Sequence, residues 1–173
     1  SCFPKDTLAL MKNARDSNAP IELMEATVRV NSARKQKMAQ KIIEAVGGSV
    51  AGKTIAILGL TFKPNTDDMR DAPALDIVPT LQAEGAKVRA FDPEGMAEAK
   101  HMLRDVAFAT GPYDCVQNAA AVVIITEWDQ FRALALARMK DALKAPVVVD
   151  LRNIYRPAEM REKGFTYVSV GRP

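Results

Sequence analysis

The fold class follows from residues 54–60, which read TIAILGL. A near-continuous apolar run of this length is typical of a β-strand that is covered on both faces, as the strands of a parallel sheet are. Similar runs recur further along the chain, at 87–91, 121–125, 146–150 and 165–168. The segments between them have helical patterns, so the sequence predicts an α/β protein with a doubly wound, mainly parallel sheet.

The helices of this sheet are predicted at 74–84, 94–104, 112–116 and 129–143. The third of these segments is amphipathic and contains Cys115. A single cysteine on the apolar face of a helix is usually a small core residue, and we interpret Cys115 in that way.

A long helix is predicted ahead of the sheet, over residues 19–46. Ser17 and Asn18 are its expected cap, Pro20 lies near its first turn, and a pair of glycines starting at Gly47 ends it. Residues 1–18 are predicted to be a loop-like or short helical lead.

At 1.5 Å per residue the long helix would extend for about 40 Å, which is more than most helices in a compact domain. It therefore either connects or dimerises, or else packs along its own domain. On this basis we divide the chain into a lead and long helix at 1–52 and a sheet domain at 53–173.

Composition excludes several classes of protein. The 24 basic and 21 acidic residues give a net charge of only +3, too mild for a nucleic-acid-binding protein. No apolar run is long enough to cross a membrane. Two cysteines and one histidine fit neither a disulfide framework nor a metal site. The opening residues SCFPKD resemble no signal peptide and lack an initiator Met, so we expect a fragment or processed product of a cytoplasmic protein.

One phosphate-binding motif is misleading. Residues 47–54 read GGSVAGKT and fit the P-loop pattern letter for letter. A P-loop needs a strand before it and a helix after it, because only then do the backbone amides converge on phosphate. Here the predicted order is inverted, so we interpret the segment as a helix stop followed by a turn.

The loop after the first strand, residues 59–70, is a better candidate for anion binding. It contains a single glycine and so is not a dinucleotide fingerprint, but Lys63 and Arg70 could supply charge directly. Arg152 follows the strand at 146–150 and falls at the same edge of the sheet. The alternative for all three is an ordinary solvated charge, paired in the loop with Asp67 or Asp68.

For two further residues, Trp128 and Cys2, the sequence leaves open both a functional and a purely structural role. Trp128 follows the third apolar run and is either a packing residue or a base-stacking platform. Cys2 lies near Lys5 and Asp6, where a cation could lower the thiol pKa and a carboxylate could orient water. Without other context Cys2 could equally be an inert thiol.

These segments together resemble the nucleotide-sugar dehydrogenases. The resemblance rests on SCFPKDTLAL at residues 1–10, ILGLTFKPNTDDMR at 57–70, FDP at 91–93, TEW at 126–128 and DLRN at 150–153, and it covers essentially the whole chain. Phe3 and Thr7 favour UDP-glucose over GDP-mannose as the substrate. The resemblance implies a Rossmann-like UDP-binding domain behind a central dimerisation helix.

The resemblance also implies roles for individual residues. Cys2 would be the nucleophile that forms a thiohemiacetal and then a thioester, and Asp6 would assist hydrolysis. Phe62, Lys63 and Arg152 would bind the UDP-sugar. The cofactor NAD would contact Cys2, Phe3, Pro4, Lys5 and Arg70.

The implied partners are the UDP-sugar, an N-terminal NAD-binding domain that these residues do not contain, and a second copy of the chain. The implied reaction is oxidation of UDP-glucose to UDP-glucuronate in two hydride transfers. Two alternatives stay open: a stand-alone nucleotide-sugar-binding or dimerisation module, and a dehydrogenase of another nucleotide sugar, such as GDP-mannose or UDP-N-acetylmannosamine.

Overall fold

The computed structural model describes residues 2–172, with side chains from Lys5 onward, and contains one six-stranded sheet. All paired strands are parallel, in the order β3-β2-β1-β4-β5-β6. The strands are β1 (Thr54–Leu58), β2 (Lys87–Phe91), β3 (Val106–Phe108), β4 (Ala121–Ile124), β5 (Val147–Asp150) and β6 (Thr166–Ser169).

Helices cover both faces of this sheet. They are α1 (Cys2–Asp16), α2 (Glu22–Ala45), α3 (Ala74–Ala83), α4 (Met96–Met102), α5 (Pro112–Val116), α6 (Asp129–Arg132), α7 (Leu136–Ala142) and α8 (Pro157–Glu162). The alternation along β1 shows how the layers form: Ile55 and Ile57 belong to a core shared with α2 and α3, whereas Ala56 and Leu58 belong to a second core shared with α5 and α7. The predicted doubly wound parallel sheet is confirmed.

The sequence missed one strand and merged two helices. The strand β3 is three residues long and lies at the sheet edge with no fully buried residue, so it has no apolar run to mark it. The single helix predicted at 129–143 is wrong, because it is divided between α6 and α7. Ala135 is extended there and donates its backbone N–H to the Tyr113 hydroxyl at 2.8 Å.

The predicted start of the long helix is also wrong. Asn18 has a positive φ of 53°, and the backbone N–H of Ala19 donates to Ala14 at 2.9 Å. Residues 17–18 therefore end α1, and the residue before α2 is Ile21, which provides no side-chain cap. The lead is thus a full 15-residue helix. It is joined to α2 by an ion pair between Arg15 and Glu25 at 2.9 Å.

The two halves of α2 have different surroundings. Its C-terminal half buries Ala39, Ile42 and Ile43 in the first core, whereas Leu23 and Val30 in its N-terminal half are 76% and 63% exposed. The N-terminal half is thus only partly covered, and it leaves these two apolar side chains exposed.

The P-loop look-alike connects α2 to β1. Gly47 and Gly48 both have positive φ and end the helix, as predicted. The Lys53 ammonium donates to the carbonyl of Val46 at 2.7 Å, so it stabilises the helix C-terminus. A helix precedes the motif and a strand follows it, which is the inverse of the arrangement that phosphate binding needs. Among residues 2–172, no helix is long and apolar enough to span a membrane.

Cys115 should be unreactive in the folded protein. Its side chain is fully buried, its thiol lies 3.5 Å from the carbonyls of Ile57 and Arg89, and burial raises its pKa to about 12. Because the thiolate is the reactive form, a Cys2→Ser variant should take up no iodoacetamide at pH 8 until denatured. Mass spectrometry of the intact protein would detect the label. Equal labelling with and without urea would contradict the buried assignment.

Candidate functional site

The carboxyl ends of β1, β4 and β5 lie side by side, and the loops that follow them form one rim. The chain order reverses between β1 and β4, since β1 pairs with β2 on one side and with β4 on the other. In open α/β sheets such a reversal leaves a crevice beyond the strand ends, which is where ligands bind.

A cleft of about 330 Å³ lies at this rim, between the strand ends and α2. The structure brings three of the predicted residues together in it: Phe62 and Lys63 from the loop after β1, and Arg152 from the loop after β5. Six of the other residues that line the cleft are apolar: Met38, Pro73, Ile77, Ile125, Leu151 and Val170.

Two basic residues of the cleft were missed by the sequence analysis. Arg34 and Lys35 project from α2 into the same cleft. The Lys35 ammonium lies 3.0 Å from the Asp76 carboxylate and 3.3 Å from the Asp71 carbonyl, so it also fixes α2 against α3. In the sequence, Arg34 and Lys35 are marked only by being two adjacent cations about two helical turns before the buried end of α2.

A buried carboxylate shapes the loop that carries Lys63. Asp92, which follows β2, is fully buried. Its Oδ2 accepts from the backbone N–H groups of Leu60 and Thr61 at 2.7 and 3.2 Å, and from the Trp128 indole at 3.2 Å. The Thr61 hydroxyl also donates to it at 3.2 Å. Trp128 is therefore a packing residue with a defined hydrogen bond.

Asp92 also fixes its own loop, the one that follows β2. Its Oδ1 accepts from the backbone N–H groups of Glu94 and Gly95 at 3.0 and 2.8 Å. One carboxylate thus joins the loops after β1, β2 and β4 at the rim.

A second buried carboxylate fixes the loop that carries Arg152. Asp150 accepts from the Arg152 backbone N–H at 3.0 Å, the Tyr155 backbone N–H at 3.1 Å and the Tyr167 hydroxyl at 2.7 Å. Asn153, at φ 57°, exchanges two hydrogen bonds with the backbone of Val170. The backbone position of Arg152 is consequently well defined.

Arg70 lies away from this cleft, at a separate shallow depression that it shares with Asp67 and Met102. Its guanidinium forms a fork with the Asp68 carboxylate at 2.9 and 3.0 Å, and its side chain is 77% exposed. The pairing with Asp68 that the sequence left open is therefore present.

The predicted catalytic segment lies on α1. Asp6 is exposed and is 3.5 Å from the Lys5 ammonium. Cys2, Phe3 and Pro4 begin the helix, and their side chains lie outside the described part of the structure. No cluster of three or more metal-binding side chains occurs among the described residues.

A second, smaller cavity lies beside the cleft and is lined partly by α1. This notch has a volume of about 100 Å³ and shares Asn31, Lys35 and Asp71 with the lining of the cleft. Thr7 and Leu8 of α1 line the other side of this notch. The notch therefore lies between the cleft and the helix that begins at Cys2.

Comparison with known proteins gives a consistent result. The family model for the UDP-binding domain of the UDP-glucose/GDP-mannose dehydrogenase family matches residues 56–157. The UDP-glucose 6-dehydrogenase of Rhizobium meliloti (strain 1021) is 54% identical over 173 residues, which are all of this chain and 40% of that protein. The chain thus spans well under half the length of this relative.

Two solved structures are also similar. A UDP-glucose dehydrogenase from the hyperthermophilic archaeon Pyrobaculum islandicum superposes with a TM-score of 0.79 at 31% identity, over 97% of this chain and 36% of that one. A UDP-D-ManNAc dehydrogenase from Pyrococcus horikoshii gives a TM-score of 0.81 at 27% identity, over 99% of this chain and 38% of that one.

Proposed function

This chain belongs to the UDP-glucose/GDP-mannose dehydrogenase family, and we propose that its cleft binds the UDP-sugar that the full-length enzyme oxidises. The observation that carries the proposal is the meeting of Phe62, Lys63 and Arg152 in one cleft at the carboxyl edge of the sheet. The proposed overall reaction is oxidation of UDP-glucose to UDP-glucuronate, with NAD accepting two hydrides.

The chemistry of the cleft suits a nucleotide diphosphate. Lys63 in the loop after β1 and Arg34 on α2 both line the cleft and are exposed, so two cations from separate elements can reach the phosphates. Hydrogen bonds between such cations and phosphate oxygens are charge-assisted and therefore strong. The apolar wall beside Phe62 can cover the less polar part of the ligand.

We propose that Cys2 acts on the sugar end of the same ligand. The notch that adjoins the cleft extends toward α1, the helix that Cys2 begins. The Cys2 thiolate would add to the C6 aldehyde and give a thiohemiacetal, whose oxidation leaves a thioester. Water assisted by Asp6 would hydrolyse the thioester, release the carboxylate and restore the thiol.

The described residues do not by themselves form a dinucleotide site. Gly59, the single glycine of the loop, packs against Thr126, because a Cβ at Gly59 would lie 2.5 Å from the Cβ of Thr126. It is thus used for packing and not for an approach of phosphate to the backbone. We propose that a separate N-terminal domain holds most of the NAD, with Lys5 and Arg70 at its edge.

The proposal also assigns roles to the two parts of the chain. Residues 53–173 would be the UDP-sugar-binding domain, and residues 1–52 the catalytic segment and central helix. The exposed Leu23 and Val30 of α2 support a homodimer formed through this helix.

Replacing Lys63 should weaken UDP-glucose binding. Lys63→Ala removes a charge-assisted hydrogen bond worth about 1.5–3 kcal/mol, which corresponds to a loss of roughly ten- to a hundredfold in affinity. Calorimetric titration of the chain with UDP-glucose would measure it. Lys87→Ala is the matched control, because Lys87 is an exposed lysine at the start of β2, at the opposite edge of the sheet.

The same titration tests the choice of ligand. UDP should bind more tightly than GDP and more tightly than NAD. Tighter binding of NAD, or equal loss of UDP-glucose affinity in both lysine variants, would contradict the assignment of the cleft. Comparison of UDP-glucose with UDP-N-acetylmannosamine addresses the remaining alternative, which the Pyrococcus horikoshii structure raises.

A further inference from the structure

The Arg152 guanidinium at the cleft is paired with the carboxylate of Glu127. The Arg152 Nε lies 2.5 Å from Oε2 of Glu127, and the Arg152 Nη2 lies 2.6 Å from Oε1 of Glu127. This side-on, two-bond pairing fixes both the position and the plane of a guanidinium. Within residues 2–172, the Arg152 Nη1 donates no hydrogen bond to the protein, so the side of the guanidinium away from Glu127 stays available to a ligand.

The pair is only partly exposed to solvent, with 36% of the Arg152 side chain and 26% of the Glu127 side chain accessible. Burial would raise the pKa of Glu127, but the hydrogen bond and charge of Arg152 outweigh it and hold that pKa below its usual value. Glu127 is thus a carboxylate throughout the neutral pH range.

Hydrogen bonds fix the backbone on both sides of the Glu127–Arg152 pair. The neighbours of Glu127 are fixed, since the Thr126 hydroxyl donates to the Thr61 carbonyl at 2.7 Å and the Trp128 indole donates to Asp92. Arg152 is fixed through the bond from its backbone N–H to Asp150. Exposed ion pairs on flexible side chains contribute little, but this pair joins two anchored strand ends.

We propose that Glu127 is a positioning residue, which holds the Arg152 guanidinium in the orientation that binds the UDP-sugar. The inference rests on the proposed function of the cleft. Charge repulsion alone predicts the opposite role for Glu127, because a carboxylate beside an anion-binding site should repel the anionic ligand. The two views therefore predict opposite effects when the charge is removed.

The test is Glu127→Gln, titrated with UDP-glucose by calorimetry. The amide keeps the size of the side chain but presents an NH₂ group to the guanidinium, so the two-bond pairing is lost. We expect binding to weaken about tenfold, since small displacements of a positioning group carry large costs. Glu159→Gln is the matched control: it removes an exposed ion pair with Lys163 on α8, and binding should not change.

A double-mutant cycle separates positioning from a general structural effect. In an Arg152→Ala background, Glu127→Gln should weaken binding no further, because Glu127 acts only through Arg152. Equal weakening in both backgrounds would overturn the inference, as would unchanged or tighter binding in the single variant. Absence of any UDP-glucose binding to the unaltered chain would overturn the proposed function, and the inference with it.

Discussion

Replacing Cys2 by serine should abolish turnover of the full-length enzyme while leaving UDP-glucose binding nearly intact. The proposed chemistry needs a sulfur nucleophile, because a serine hydroxyl has too little reactivity at neutral pH without a base to activate it. Loss of a nucleophile of this kind reduces turnover by a factor of about a thousand or more. Binding should persist because Lys63 and Arg152, which we assign to the ligand, lie on the sheet domain.

Spectrophotometric measurement of NADH formation would test this expectation, with calorimetry to confirm that the ligand still binds. Cys115→Ala is the matched control: it removes the other cysteine, which is buried in the second core, and should leave turnover essentially unchanged. Full activity of Cys2→Ser would refute the nucleophile assignment. Loss of UDP-glucose binding in the same variant would show that the serine had disturbed more than the chemistry.

Replacing Asp92 by alanine should cause a large loss of stability. Leu60, Thr61, Trp128, Glu94 and Gly95 all donate to this buried carboxylate and would lose their acceptor together. Each buried donor left without a partner costs about 1–3 kcal/mol, and water entering the space would recover part of that sum. We expect the free energy of unfolding to fall by about 3–5 kcal/mol.

Urea denaturation followed by circular dichroism would measure this change. Asp141→Ala is the control, since Asp141 is an exposed carboxylate in the last turn of α7. UDP-glucose binding should weaken in parallel, because the loop that carries Lys63 loses its anchor. A loss below about 1 kcal/mol would mean that the loops after β1, β2 and β4 hold their shape without the carboxylate.

The strands could be predicted because an apolar run reports burial directly. At β1, β4 and β5 the sheet is covered on both faces, and the apolar runs are continuous; β2 and β6 are partly exposed and have weaker runs. The strand β3 lacks that covering and left no comparable signal. The split between α6 and α7 depends on a hydrogen bond to the distant Tyr113, which periodicity along the chain cannot reveal.

The candidate site was predictable only in outline. Lys63 and Arg152 were placed at one rim because parallel strands all end at the same edge. Their partners depend on which strands are neighbours. Glu127 meets Arg152 because β4 pairs with β5, and nothing in the local sequence fixes that order. The role of Asp92 was missed for the same reason, since its donors come from three separate loops.

The position of β1 in the middle of the sheet has a kinetic consequence. Its partner on one side, β4, follows only after α3, β2, α4, β3 and α5 have been made. Closing so long a stretch of chain is entropically costly, and folds dominated by such distant pairings form slowly. During synthesis, the backbone N–H and C=O groups through which β1 pairs with β4 therefore stay unpaired until β4 has been made, and an unpaired strand edge of this kind exposes the nascent chain to aggregation.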